Sequence, residues 1–307
     1  MFRAAVAAPR TAVVGLGAMG APMASWLAGG GFPVVVFDVD PARSAQLAAD
    51  AGAVGAATPA EAVRDADVVV LAVRDQEQVD AALFGEGGAA PALREGAVVV
   101  LTSTVGPDAA RATAAALAPY GVSLVDAPVS GGPARAGSGD LLIVVGAEEG
   151  PLAAARPVLD RLASTLTVIG GAPGDGQSLK AINQLLAGVH IAAAAEAVAL
   201  ARELGLDPQT VIDSLGQGAA GSFMFSDRGP RMAQAYRDEE VEVRSRLDIF
   251  VKDMGIVTGV AKGAHVPVPV AAAASQLYVL GERAGLGARD DSSVVTLLSP
   301  VGRETPG

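Results

Sequence analysis

The sequence predicts an α/β domain with a mostly parallel sheet, followed by an all-helical domain. A long helix joins the two domains. Three observations lead to this prediction. Short β-branched runs alternate with alanine-rich stretches up to about residue 170, a glycine- and proline-rich turn follows, and no strand pattern returns afterwards. Strands separated by helical stretches are typical of crossover connections and parallel pairing. The predicted domains are residues 1–172 and 173–307.

The strands of the first domain are predicted where short apolar runs lie between turn residues. They are Thr11–Val14, Val34–Phe37, Asp67–Val73, Ala97–Thr102, Ser123–Asp126, Leu141–Val145 and Leu166–Ile169. The helices between them are predicted at Ala21–Leu27, Ala42–Ala49, Gln76–Phe84, Asp108–Leu117 and Pro151–Ala163. Because crossover helices cover a parallel sheet, we expect it to be buried on both faces.

The second domain is predicted to begin with one long helix. This helix runs from Gln177 to Leu204, which is roughly 42 Å at 1.5 Å per residue. Gly205 ends it, and Asp207 and Pro208 are expected to cap and begin the next helix. Further helices are predicted at Gln209–Leu215, Leu247–Lys262, Val270–Ala284 and Asp291–Leu298.

Composition argues against several classes of protein. The net charge is −11, which disfavours nucleic-acid binding, and two histidines without any cysteine make a metal site improbable. Glycines and prolines divide the uncharged stretch Thr11–Phe37 too finely for a membrane span. The apolar run before Arg10 is too short for a secretory signal. We therefore expect a cytoplasmic protein with no metal, nucleic-acid or membrane partner.

A glycine loop follows the first strand. It comprises Gly15, Leu16, Gly17, Ala18, Met19 and Gly20. The first glycine permits a tight turn, the second lets the backbone approach a pyrophosphate, and the third allows close packing of helix on strand. The start of the next helix offers unpaired N–H groups to the phosphates. The loop therefore predicts a Rossmann-type dinucleotide-binding domain; a purely structural turn is the alternative.

Asp38 closes the second predicted strand. A carboxylate in this place accepts hydrogen bonds from an adenosine ribose and repels a 2′-phosphate. Asp38 therefore favours NAD over NADP as the cofactor, although Arg43 nearby could weaken that discrimination.

Ser130, Gly131 and Gly132 follow a later strand. A hydroxyl group and exposed backbone N–H groups suit a carboxylate, so we expect this loop to hold a small anionic substrate. The same residues also occur in ordinary tight loops, which is the alternative interpretation.

Lys180 lies near the start of the long helix and shares a face with Asn183 and Gln184. Oxidation of an alcohol requires removal of the hydroxyl proton as hydride leaves the carbon. A lysine whose pKa is lowered by burial can take that proton and return it in the reverse reaction. We therefore predict that Lys180 is the general acid/base and that Asn183 orients it or the substrate. A solvated surface lysine is the alternative. His190 is interpreted as a packed or interface residue.

Three segments resemble the signatures of the β-hydroxyacid dehydrogenase family, which includes 3-hydroxyisobutyrate dehydrogenases and tartronate semialdehyde reductases. They are the glycine loop, Asp126–Gly132 with Ala136–Leu141, and Gly174–Gln184. The resemblance covers essentially the whole chain. It implies a Rossmann-type domain joined to an all-helical domain, with Lys180 as the catalytic acid/base. It also implies that Ser130, Gly131 and Gly132 hold the substrate carboxylate.

The second half resembles the L-threonate dehydrogenase branch of that family. The segments concerned are Ala195–Ala197, Gly205–Pro208, Ser222–Phe225 with Arg228, Asp248–Asp253 and Asp290–Ser292. This resemblance implies oxidation of a C4 sugar acid with NAD and a homodimer or homotetramer. It implies cofactor contacts from Thr104 and Lys252, and we also expect one at Val73. Which of Asn183 and Gln184 supports the catalytic lysine stays open, with Gln184 assigned to the substrate.

The resulting hypothesis is an enzyme that transfers hydride between NAD and a small hydroxy acid, such as L-threonate. Within the same family, a 2-hydroxy-3-oxopropionate (tartronate semialdehyde) reductase or a 3-hydroxyisobutyrate dehydrogenase is the alternative. An imine reductase is disfavoured by Lys180, because those enzymes generally lack the lysine. A non-catalytic NAD(H)-binding sensor is the alternative outside enzymes.

Overall fold

The computed structural model describes residues 8–237 and 241–300. The chain divides into two compact units, Met1–Lys180 and Ala181–Gly307, here called the N-terminal and C-terminal units. The division falls within a helix, whereas the boundary predicted from the sequence precedes that helix. Residues 1–7, which include part of the segment where no secretory signal is expected, lie outside the described residues.

The N-terminal unit alternates strands with helices. Its strands are β1 (Thr11–Val14), β2 (Val34–Phe37), β3 (Val54–Gly55), β4 (Val68–Leu71), β5 (Val98–Leu101), β6 (Ser123–Asp126), β7 (Val129–Ser130), β8 (Leu141–Gly146) and β9 (Ala163–Gly170). Its helices are α1 (Gly20–Gly29), α2 (Pro41–Ala51), α3 (Pro59–Val63), α4 (Gln76–Phe84), α5 (Pro107–Leu117), α6 (Gly132–Ala136) and α7 (Glu149–Leu162).

The sheet is mostly parallel, which confirms the prediction. Strands β1 to β6 lie in the order β3-β2-β1-β4-β5-β6 and all pair in parallel. Strand β8 pairs antiparallel with β6 and β7 and parallel with β9. The strand order reverses beside β1, so the carboxyl ends of β1 and β4 flank the point where ligands bind in sheets of this kind.

Burial of the sheet follows the prediction in its centre and departs from it at one edge. Strands β1, β4 and β5 are buried throughout, between two apolar clusters on opposite faces of the sheet. Most of β9 is exposed, and within the described residues it pairs only with β8. The expected burial is therefore wrong for β9, because an edge strand has one side without a partner strand. Strand β9 also takes in Ala163, which the sequence assigned to the preceding helix.

The long predicted helix is α8 (Asp175–Glu203), which begins in the N-terminal unit and continues through the C-terminal unit. It is followed by α9 (Pro208–Gly216), α10 (Phe223–Gln234), α11 (Leu247–Gly263), α12 (Pro269–Arg283) and α13 (Val295–Leu298). Asp207 caps α9 by accepting a hydrogen bond from the Thr210 N–H, as predicted. The last predicted helix begins instead with a 3₁₀ turn at Asp291–Val294.

Helix α8 is long and apolar enough to span a membrane by length and composition alone, and it is the one such helix in the part of the chain that the structure describes. However, 56% of its apolar window is buried within the protein. Ile191 and Val198 lie in the apolar core of the C-terminal unit. This burial is typical of a core helix in a soluble protein.

Candidate functional site

The glycine loop between β1 and α1 requires glycine at two positions because other atoms fill the space of a side chain. Gly15 has a φ of 94°, and a Cβ atom there would lie 2.7 Å from the carbonyl oxygen of Ala72. A Cβ atom on Gly20 would lie 1.8 Å from the carbonyl oxygen of Gly15. A Cβ atom on Gly17 would meet nothing within 4 Å, which leaves room for a ligand to approach the backbone.

The start of α1 is suited to an anion. Its N-cap residue, Met19, makes no side-chain cap hydrogen bond, and its first turn contains no acidic residue. The first N–H groups of a helix lack partners within the helix and carry partial positive charge. Together with the space at Gly17, this helix start fits the pyrophosphate of a dinucleotide.

Asp38 lies at the carboxyl end of β2, beside the glycine loop. Its carboxylate is buried and accepts hydrogen bonds from the N–H of Leu16 at 2.6 Å and of Asp40 at 2.9 Å. The Nη1 atom of Arg43 lies 3.6 Å from Asp38 Oδ1, and its Nε atom lies 3.5 Å from Asp40 Oδ2. Asp38 therefore holds the glycine loop directly, a contact that the sequence did not indicate.

Val73 and Thr104 follow the neighbouring parallel strands β4 and β5. The N–H of Val73 donates a hydrogen bond to Ser103 Oγ at 3.0 Å, which ties the two loops together. Both residues are half-buried. The two expected cofactor contacts therefore lie at adjacent carboxyl ends of the sheet, on the same edge as the glycine loop.

Ser130, Gly131 and Gly132 form a strand-to-helix turn in the structure. Ser130 is the last residue of the short strand β7 and pairs with Leu142, and Gly132 begins α6. The φ values of Gly131 and Gly132 are 142° and 76°, which favour glycine. The sequence indicated a loop here because neither two-residue strands nor five-residue helices have a detectable period.

Asp126, at the end of β6, is fully buried and caps the N-terminus of α8, which lies far from it in the sequence. Its Oδ2 atom accepts hydrogen bonds from the N–H groups of Gly174 at 2.8 Å and Gln177 at 2.9 Å. Burial raises the pKa of the Asp126 carboxyl, and these hydrogen bonds oppose that rise. A carboxylate at a helix N-terminus is stabilised by the helix dipole. The first turn of α8 is thereby fixed to the carboxyl end of β6.

Gln177 connects the same turn of α8 to the loop after β5. Its Oε1 atom accepts hydrogen bonds from the N–H groups of Val105 at 3.0 Å and Gly106 at 3.1 Å. Its Nε2 atom donates to the carbonyl oxygen of Ser103 at 2.9 Å and to Asp126 Oδ1 at 3.0 Å. Gln177 and Asp126 both lie within the family signatures of the sequence, but the sequence alone predicted no role for either residue. The signal available in the sequence was the position of Asp126, a charged residue at the end of an apolar strand.

Lys180 lies one turn after Gln177 on α8 and is only 7% exposed. This burial contradicts the alternative of a solvated surface lysine. Because the first turn of α8 is fixed to the ends of β5 and β6, Lys180 belongs to the same edge of the sheet as the expected cofactor contacts. Its catalytic role remains a prediction.

The remaining predicted residues, Asn183, Gln184 and Lys252, lie together in the C-terminal unit. Gln184 Nε2 donates to Asp253 Oδ2 at 2.5 Å, and Asn183 Nδ2 donates to Gln184 Oε1 at 2.8 Å. The Nζ atom of Lys252 forms an ion pair with Asp253 Oδ1 at 2.9 Å. Asp253 thus joins Gln184 on α8 to Lys252 on α11, and the sequence analysis did not single it out.

Two family models match the chain. Residues 10–170 match the NAD-binding domain of 6-phosphogluconate dehydrogenase, and residues 174–298 match the NAD-binding domain of NADP-dependent 3-hydroxyisobutyrate dehydrogenase.

Individual relatives match over almost the full length. The L-threonate dehydrogenase of Cupriavidus necator is 42% identical over 96% of this chain and 97% of that protein. The L-threonate dehydrogenase of Pectobacterium atrosepticum is 38% identical over 94% of each. The crystal structure of 3-hydroxyisobutyrate dehydrogenase from Salmonella typhimurium is similar with a TM-score of 0.87 and 36% identity, covering 94% of this chain and 99% of that one.

Proposed function

We propose, since this chain belongs to the β-hydroxyacid dehydrogenase family, that it oxidises L-threonate or a closely similar C4 sugar acid with NAD. The chain is a dehydrogenase of a small hydroxy acid and binds a nicotinamide dinucleotide. The choice of L-threonate is supported by the names of relatives at 42% and 38% identity. The observation that carries the proposal is the buried amine of Lys180 on the sheet edge that also bears the glycine loop.

The proposed chemistry divides between the dinucleotide and the side chains. The bound dinucleotide supplies the hydride acceptor. Lys180 Nζ takes the proton of the substrate hydroxyl during oxidation and returns it during reduction. Burial generally disfavours the charged form of an amine, which suits a base. The N–H groups of Gly131 and Gly132 and the hydroxyl of Ser130 hold the substrate carboxylate.

The same proposal assigns supporting roles in the C-terminal unit. Asn183 orients the catalytic amine or the substrate, Gln184 contacts the substrate, and Lys252 contacts the cofactor. The hydrogen bonds from Asn183 to Gln184 and from Gln184 to Asp253 support fixed orientations of both amides. We also propose that the protein is cytoplasmic and forms a homodimer or a homotetramer.

A substrate panel with both nicotinamides tests the assignment. We expect the highest kcat/KM with L-threonate and NAD, because the match to L-threonate dehydrogenases extends over nearly the whole chain. The panel includes D-threonate, 3-hydroxyisobutyrate and, in the reducing direction, tartronate semialdehyde. A higher kcat/KM with 3-hydroxyisobutyrate or tartronate semialdehyde would identify that compound, instead of L-threonate, as the substrate. Binding of NAD(H) without any turnover would instead favour a sensor.

Asp38→Asn should shift cofactor preference towards NADP. The substitution keeps one oxygen that accepts the Leu16 N–H, whereas the Asp40 N–H loses its acceptor. It removes the charge that repels a 2′-phosphate, and Arg43 stays beside the site. Hydrogen bonds to charged groups are worth about 1.5–3 kcal/mol, so we expect the ratio of kcat/KM for NAD over NADP to fall roughly 10- to 100-fold. Asp50→Asn, an exposed position on α2, serves as the matched control. Equal or higher efficiency of the unaltered protein with NADP would overturn the assignment of NAD.

A further inference from the structure

We propose that Gln177 is a positioning residue that sets the distance between the Thr104 loop and Lys180. The inference rests on the proposed function, because it takes Thr104 as a cofactor contact and Lys180 as the acid/base. Gln177 is only 1% exposed, and its side-chain amide makes four hydrogen bonds to other protein atoms.

The contacts of Gln177 surround Thr104 in the chain. The residue before Thr104 accepts a hydrogen bond from Gln177 Nε2 through its carbonyl oxygen, and the two residues after it donate N–H groups to Oε1. The backbone on both sides of Thr104 is thus held by one side chain. Lys180 follows Gln177 by three residues, so both lie on one face of α8. Movement of the amide would therefore change the separation of Thr104 from Lys180.

Asp126 fixes which way the Gln177 amide points. Its carboxylate and the Ser103 carbonyl can only accept hydrogen bonds, whereas the N–H groups at residues 105 and 106 can only donate. The Nε2 atom must therefore face Asp126, and Oε1 must face the loop. Neither a carboxylate nor an apolar side chain of the same size can satisfy all four partners. The arrangement specifies glutamine at this position.

The separation of Thr104 from Lys180 matters because hydride and proton must leave neighbouring atoms of one substrate. A displacement of about 1 Å between groups that hold cofactor and substrate can cost roughly 100-fold in rate. Loss of the Gln177 contacts should therefore lower kcat in a protein that is still folded. The substrate KM should change less, because β7–β8 pairing holds the Ser130 segment independently.

Exchanging the amide of Gln177 with the carboxylate of Asp126 tests whether Gln177 couples the Thr104 loop to Lys180. Gln177→Glu removes the donor and places a second carboxylate against Asp126, so kcat should fall roughly 10- to 100-fold and the dissociation constant for NADH should rise. In the double variant Gln177→Glu/Asp126→Asn, the new amide at position 126 can donate to the new carboxylate at position 177. Its remaining oxygen still accepts the two backbone N–H groups. Most of the lost kcat should return, although the contact to the Ser103 carbonyl stays absent.

Gln177→Met, which removes the hydrogen bonds without adding charge, gives a second measurement and should also lower kcat. Gln46→Glu is the matched control, since Gln46 is exposed and its amide donates to the carboxylate of Asp50 on the same helix. Unchanged kcat and NADH affinity in both Gln177 variants would overturn the proposal. So would a lower unfolding temperature as the sole effect, with no recovery in the double variant.

The two proposals can fail separately. NADH affinity is measured by fluorescence and does not depend on turnover. If the unaltered protein binds NADH but converts no hydroxy acid, the proposed function fails, and the coupling is still judged from NADH affinity across the same variants. If the unaltered protein converts substrate and the Gln177 variants match it in kcat and affinity, only the coupling fails.

Discussion

Replacing Lys180 with alanine should lower kcat by roughly 10²–10⁴-fold, the range that general acid–base catalysis contributes. In the proposed function the buried Lys180 accepts the hydroxyl proton, so its removal leaves the substrate hydroxyl without a proton acceptor. NADH affinity should change little, because the glycine loop and Asp38 supply the proposed dinucleotide contacts. The measurement is steady-state kcat with L-threonate and NAD, together with a separate NADH titration.

A small added amine provides a sharper readout of the same prediction. Methylamine can occupy the space left by the lysine side chain and should restore part of the rate, increasingly at higher pH. Lys262→Ala is the control, since Lys262 is exposed in the last turn of α11. A wild-type kcat in Lys180→Ala would contradict the proposal that Lys180 is the general acid/base. Equal losses in kcat and NADH affinity would indicate a binding role instead.

Arg228→Met should destabilise the protein by about 3–5 kcal/mol, as expected when one partner of a buried ion pair is removed. Arg228 holds both carboxylate oxygens of Asp291, with Nε–Oδ1 at 3.2 Å and Nη2–Oδ2 at 3.1 Å. The Asp291 side chain is 0% exposed, so its charge would have no solvent to replace the guanidinium. The unfolding temperature should fall by roughly 10 °C.

An exposed pair of the same two residue types is the control. Arg156→Met breaks an ion pair with Asp160 on α7, with both side chains about half exposed, and should cost less than about 1 kcal/mol. The double variant Arg228→Met/Asp291→Asn removes the unpaired charge and should regain much of the lost stability. A double variant no more stable than Arg228→Met would contradict this account.

The loss in Arg228→Met should also depend on pH. Burial raises the pKa of the Asp291 carboxyl, and Arg228 opposes that rise, so its removal raises the pKa further. A carboxyl whose pKa is higher in the folded state costs stability above that pKa. The cost disappears below the ordinary value of 3.8, where both states are protonated. The difference in unfolding free energy between variant and wild type should therefore shrink as the pH falls from neutral towards 3.8.

Elements whose ends are marked by turn or capping residues were predictable, and two-residue strands and a helix with a glycine and a proline at its centre were not. The bounds of β1, β2 and α4 match the sequence prediction because turn or capping residues flank each run. Helix α10 was missed because Gly229 and Pro230 lie inside it and ordinarily indicate a break. Its N-cap, Ser222, accepts a hydrogen bond from the Phe225 N–H, and tertiary packing stabilises the remainder. Strand β3, with two residues, carries no period at all.

The candidate site was predictable to the extent that its residues are adjacent in the sequence. The glycine loop and Lys180 each belong to a local pattern, and the structure shows the steric need for Gly15 and the burial of Lys180. The network of Gln177 and Asp126 was not predictable, because its partners are about 50 and 70 residues apart in the chain. Only the folded sheet brings the ends of β5 and β6 to one turn of α8.

The hydrogen bond from Leu16 to Asp38 has a thermodynamic consequence for the adenosine end of the ligand. The loop is already shaped by a protein carboxylate, so little chain entropy has to be lost when the nucleotide arrives. In the proposed function the Asp38 carboxylate contacts the ribose, and the same carboxylate holds the glycine loop in the shape that receives the diphosphate. The proposed contact to the ribose and the preorganisation of the loop for the diphosphate therefore depend on one side chain.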